Sequence, residues 1–200
     1  MRFSLLTFLT IAASTINTSK ADLDAHFLKP CLTSLSQSPA ADLLQEAQTA
    51  LEAGADINAR DERSGQTCLM AATLRGNVDL VRFLIGKGAD VTIPERSGFT
   101  PPHGAGFQGR ADVMKILKEE AGIDVLNAPH EDGFLPFHRA CWGNQPRHAE
   151  TVEYLISLGA DVNKRGGEGK DLTCMEMTKN ADTVAILKKH GAIGEPKSEL

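Results

Sequence analysis

This 200-residue sequence is poor in aromatic side chains, with eight Phe, one Tyr and one Trp. That argues against a core built around a large aromatic centre; small residues with Leu, Val and Ile within the 42% apolar content suit thin stacked helices instead. A basic excess is also missing. Asp and Glu number 26 against 21 Lys and Arg, and the net charge of −5 makes nucleic acid or an anionic membrane surface an unsuitable partner. The apolar run Leu5 to Ala13 falls short of the roughly 20 residues that a bilayer span needs. Neither G-x-S-x-G, H-E-x-x-H, C-x-x-C nor a P-loop occurs, and no nucleophile lies beside a recognisable base. An enzyme is not expected, and no cofactor is implied.

One catalytic-looking stretch is present. Gly104 to Gly109 reads GAGFQG and fits the glycine pattern of a dinucleotide-binding turn. Such a turn must leave the end of a buried strand, whereas the approach here, Arg96 to His103, contains Pro101 and Pro102, which cannot donate to a ladder. The pattern needs another explanation.

Internal repetition supplies it. Gly65 to Thr92 aligns with Gly98 to Val125 and with Gly133 to Asn163, and the opening glycines lie 33 and 35 residues apart. Each copy ends on a glycine (Gly54, Gly88, Gly122, Gly159, Gly191), and GAGFQG becomes the end of a first helix with its turn, Gly109 matching Gly76. Second helices show as apolar stripes at three- and four-residue spacing in Val78 to Ile85, Ala111 to Leu117 and Ala149 to Ile156. Asp79, Asp112, Glu150 and Asp182 stand in their first turns, where a carboxylate meets the positive end of the helix dipole.

Through Thr100-Pro101-Pro102-His103-Gly104-Ala105, Leu135-Pro136-Phe137-His138-Arg139-Ala140 and the Gly-Ala-Asp-Val-Asn endings, the chain resembles the ankyrin-repeat family over roughly residues 40 to 193. The resemblance implies an all-α solenoid of helix-turn-helix units with finger loops, having three full repeats between degenerate caps. The units are expected at about 22–64, 65–97, 98–132, 133–169 and 170–194, and three or more must stack because one pair cannot bury its own stripe. Asn144 to His148 lengthens the turn of the third full unit, as a small recognition feature or as drift on the surface, and drift is the preferred reading.

The ends are set apart from the repeats. Arg2, the apolar run and Ser19-Lys20-Ala21 read as a secretory signal peptide, 1–21, cleaved after Ala21. The tail, 195–200, ends in Lys197-Ser198-Glu199-Leu200, similar to the K-D-E-L retention address with Ser in place of Asp. The expected location is the endoplasmic reticulum lumen, the wider secretory pathway, or outside the cell.

Cys68 and Cys174 hold equivalent positions three units apart, too distant to pair. Cys31 with Cys68, and Cys141 with Cys174, belong to neighbouring units but sit out of register, so free, partly buried thiols are expected. His103 and His138 stand one unit apart, about 10 Å on neighbouring helices, too far for one metal ion. The resemblance gives them a structural role, hydrogen-bonding the backbone of the turn, and no metal site is expected.

The resemblance also implies a non-catalytic module that binds a protein partner along its concave face. The family's variable contact positions map onto Leu74 and Arg75, onto Phe107 and Gln108, and onto Trp142. Leu74, Phe107 and Trp142 then form an apolar row, which faces either the groove or the core. Finger-tip charges, among them Arg63, Arg96, Glu131 and Arg165, would form a polar rim. A monomer is expected, with no membrane span once the signal is removed. The alternative is a thiol-active or metal-binding lumenal protein using Cys141, Cys174 or His103.

Overall fold

Each first helix opens for a local reason that recurs along the chain. Thr67 precedes α3 (Cys68–Arg75), and its hydroxyl accepts from the Met70 amide at 3.2 Å. Thr100 precedes α5 (Pro101–Gln108), where a proline at the first helical position sacrifices no hydrogen bond. Before α7 (Pro136–Cys141) the N-cap is Leu135, which lacks a polar side chain; its backbone amide donates instead to His138 Nδ1 at 3.1 Å. Thr173 and Glu176 form a reciprocal capping box on α9 (Cys174–Met177), at 2.8 and 3.3 Å.

In this computed structural model, which describes residues 19–32, 40–128 and 130–197, every first helix is followed by a second. These are α4 (Val78–Gly86), α6 (Ala111–Glu119), α8 (Pro146–Ser157) and α10 (Ala181–Lys189), with α1 (Lys20–Leu32) and α2 (Ala40–Glu52) preceding them. Gly76 and Gly109 end α3 and α5 at φ 71° and 65°, left-handed values that glycine adopts without strain. GAGFQG is thus helix and C-cap. Among the described residues there is no strand, only two isolated bridges, Arg60 to Thr67 and Gly166 to Leu172. Among the described residues no helix is long and apolar enough to cross a membrane.

The second helices bury the stripe their spacing predicts: Leu80, Val81 and Leu84, then Val113, Met114 and Leu117, then Val152 and Leu155, then Leu187. Together with the first-helix alanines they form one continuous core. Fingers are joined to fingers by backbone bonds, Arg96 N to Ser64 O at 2.9 Å and Glu168 N to Asp132 O at 2.7 Å. The architecture is the all-α stack expected.

Two expectations are corrected. The four cysteines are not free: Cys31 pairs with Cys68 and Cys141 with Cys174, with Cα atoms 5.1 and 5.5 Å apart. The first helices are staggered, so that the last turn of one meets the first residue of the next. Positions that look out of register in sequence are therefore the ones in contact, and their separations fall in the range a disulfide requires. The extra residues near Asn144 are not surface drift either. Pro146, Arg147 and His148 add a turn to the start of α8, where Arg147 Nε donates to the Gln108 carbonyl at 2.8 Å and His148, buried, reaches the Phe107 carbonyl at 3.1 Å. They satisfy carbonyls that the end of α5 leaves unpaired.

At the N-terminus the proposed scissile bond after Ala21 lies in the first turn of α1, which Ser19 caps, its hydroxyl accepting from the Asp22 amide at 3.2 Å. Residues 1–18 of the predicted leader, and Ser198, Glu199 and Leu200 of the tail motif, lie outside the described residues. Lys197 is held against the last unit, its amide donating to the Glu176 carbonyl at 3.2 Å.

Candidate functional site

The contact positions suggested by the repeat phase come together. Leu74, Phe107 and Trp142, one from each successive first-helix end, line a single cavity of about 320 Å³ with Met70 and Phe99. Phe107 is half exposed, one of two large apolar side chains left open among the described residues, while Leu74 and Trp142 are half-buried. The following unit holds their backbone in place: Arg110 donates to the Leu74 carbonyl at 3.3 Å, and His148 reaches that of Phe107. Gln108 lies on the same cavity wall.

Most of the other predicted contact residues are engaged within the molecule. Arg75 donates to the carbonyls of Ala71 and Leu32, tying α3 to α1. Arg96 donates to the Glu62 carbonyl of the preceding finger. Arg165 pairs with Asp171 at 2.8 Å and with Glu176 at 3.2 Å. Arg63 and Glu131 are exposed at finger tips and do not line this cavity.

The histidines sit in the turns. His138 joins the Leu135 amide to the Lys164 carbonyl, at 3.1 and 3.0 Å, and so links its own helix to the next finger. His103 Nδ1 meets the Thr100 hydroxyl at 2.8 Å. Burial holds the His103 pKa down to about 4, assisted by neighbouring His130 and Arg139; His138 is lowered as well, again chiefly by burial.

Arg139 is the site residue that the repeat phase does not reveal. Only 3% exposed, it pairs with Asp132 and stacks its guanidinium over Trp142 and Phe99, 4.5 and 4.6 Å from their ring centres. Phe134 meets Trp142 edge-on at 5.2 Å. Burial acts to raise the Asp132 pKa, but hydrogen bonds from Arg139, the Phe134 amide and His130 bring it down to about 2. A charged residue directly after the histidine of a buried first helix was the available signal. Trp142 is thereby fixed from two sides.

The thiol-active alternative loses its nucleophile, since Cys141 and Cys174 are bonded to each other. Among the described residues no group of three His, Cys, Asp or Glu side chains could hold a metal ion.

The family model described as ankyrin repeats (3 copies) matches residues 38–129, and that described as ankyrin repeat matches 132–167. The chain is 35% identical over 113 residues to alpha-latrocrustotoxin-Lt1a of Latrodectus tredecimguttatus, covering 56% of this chain and 8% of that protein. It is 28% identical over 165 residues to BCL-6 corepressor-like protein 1 of Homo sapiens, covering 81% and 9%. It is 31% identical over 140 residues to neurogenic locus notch homolog protein 1 of Xenopus tropicalis, covering 70% and 5%. The chain thus spans less than a tenth of each of these relatives. With the repeat models following one another from residue 38 to 167 over the helix pairs described above, the chain belongs to the ankyrin-repeat family, whose repeats are protein–protein interaction modules.

Proposed function

We propose that this chain is a non-catalytic, monomeric binding module that holds a protein partner along the concave face, in the lumen of the secretory pathway or outside the cell. The observation that carries the reading is the convergence of Leu74, Phe107 and Trp142 on one cavity. A half-exposed aromatic beside a rigidly held Trp is the kind of anchor on which interface energy concentrates. The two disulfides support the compartment, because such bonds persist where the surroundings are oxidising.

The experiment compares wild type with the Leu74→Ala, Phe107→Ala, Trp142→Ala triple variant, both tagged just after Ala21 and expressed in a eukaryotic secretory cell. Wild type should be recovered from the lumen or medium with bound protein, and the variant, with unchanged helical circular dichroism, without it. Identical bound proteins would overturn the groove reading, and recovery from the cytosol would overturn the compartment. Deleting residues 197–200 should release a retained protein into the medium if the tail is read as an address.

A further inference from the structure

Trp142 is the common wall of two cavities. The first is the apolar one already described; the second, about 640 Å³, has a floor of Phe134, Leu172 and Met177 and a rim carrying Lys170, Lys179 and Lys197. The three floor residues are buried and the three lysines are exposed.

This rim reverses the charge of the chain, whose net is −5, and no acidic side chain lines the second cavity among the described residues. Nearby Glu176 and Asp171 are occupied by Arg165, and Glu176 also meets Lys197 at 3.4 Å. Lys170 and Lys179 have no ion pair among the described residues, so two ammonium groups stand free beside an apolar floor. The first cavity carries no such excess: it is lined by one acid, Glu95, whose carboxylate accepts from the Ser97 and Phe99 amides at 2.8 and 3.3 Å, and by one base, Arg139, which is paired with Asp132. A bound chain would therefore meet an apolar end whose charges are balanced and a basic end.

We propose that the two cavities form one composite groove for a peptide segment that carries a bulky apolar side chain and, two or three residues away, a pair of acidic side chains. The apolar side chain enters the first cavity against Phe107 and Trp142, and the acids reach Lys170 and Lys179. An extended segment advances about 3.3 Å per residue, so two or three residues cross the Trp142 ring. Charge complementarity selects the segment and its direction, while the apolar anchor supplies most of the affinity. The proposal rests on the reading that partners bind this face, and adds what they must carry.

A phage-displayed library of random dodecapeptides, selected on the oxidised full-length protein, tests it. The enriched sequences should combine an aromatic or leucine with acids two or three residues away. A synthetic peptide of that consensus should change the fluorescence of Trp142, the sole Trp in the chain. Its binding should weaken with salt and fall about tenfold in the Lys170→Glu, Lys179→Glu variant, since two exposed ion pairs become repulsions. Enriched peptides without acids, or with unchanged affinity for that variant, overturn the acidic requirement; if they still fail to bind Phe107→Ala, the face itself stands. Peptides that bind the Leu74, Phe107, Trp142 triple-alanine protein as well as wild type overturn both readings. No enrichment over the support alone overturns the proposal.

Discussion

Gly106 in α5 lies directly against the backbone carbonyl of Pro136, the first residue of α7, with no room for a Cβ between them. The obstacle is backbone, so it cannot turn aside as a side chain would. Gly106→Ala should therefore destabilise by about 1–3 kcal/mol, the usual cost of forcing a methyl into a packed contact. Gly86, at the end of α4, has no atom within 4 Å of the place an added methyl would occupy and no positive φ. Gly86→Ala should be neutral or stabilising by about 0.5–1 kcal/mol. Urea melts of the two variants check the contrast, and equal effects would mean that the α5–α7 contact is looser than described.

The same contact, last turn of one first helix against first residue of the next, carries a disulfide at each end of the stack: Cys31 to Cys68 and Cys141 to Cys174. They close loops of sequence separation 37 and 33 and attach the terminal units to the middle ones. Each should stabilise by about 2–4 kcal/mol. Non-reduced, denatured protein should react with no thiol reagent. After reduction, hydrogen exchange should speed up first in α1, α2, α9 and α10, while α4 and α6 stay protected. Four titratable thiols in protein purified without reductant would contradict the pairing.

The repeat phase made much of this fold legible, because helix stripes, first-turn carboxylates and closing glycines recur where Leu80, Asp79 and Gly88 stand. The cysteine pairing was not legible: comparing equal positions assumes helices in register, and the stagger that joins Gly106 to Pro136 exists only in the stack. The row of Leu74, Phe107 and Trp142 could be found by phase, but not the direction it faces. Lys170, Lys179 and Lys197 come from a finger, an inter-helix loop and the tail, and no sequence spacing brings them together.

His103 sets a pH dependence. Its folded pKa, about 4, lies below the ordinary value of 6.5, so the unfolded chain takes up a proton that the folded chain refuses. The stability is fully present above about pH 6.5 and is lost progressively as the pH falls towards 4; His138, lowered too, acts in the same direction. Asp132, with a folded pKa of about 2, contributes stability above its ordinary 3.8 and loses it only below that. Urea melts between pH 7 and 4.5 should therefore report the histidines. His103→Gln keeps an acceptor for the Thr100 hydroxyl and removes the titration, and should flatten the slope. An unchanged slope would assign it to His138 or to other groups.

Arg139 offers the sharpest separation of charge from shape. Its guanidinium is buried, stacked between Phe99 and Trp142, and paired with Asp132, so three neighbours depend on one planar cation. Lysine keeps the charge but cannot stack as a plane or present the same fork of donors. Methionine keeps much of the volume and leaves the Asp132 carboxylate short of its cation. That loss costs about 3–5 kcal/mol where both partners are buried, and less here because the Asp132 side chain is 39% exposed. Arg139→Met should thus be the less stable variant in urea melts, and the loss should shrink when Asp132→Asn is added, because the unpaired charge is gone. In Arg139→Lys stability should fall less, yet Trp142 emission should become easier to quench with acrylamide as the ring loses its stacked support. If both variants leave Trp142 quenching unchanged, Phe134 alone holds the ring, and the wall between the two cavities does not need Arg139.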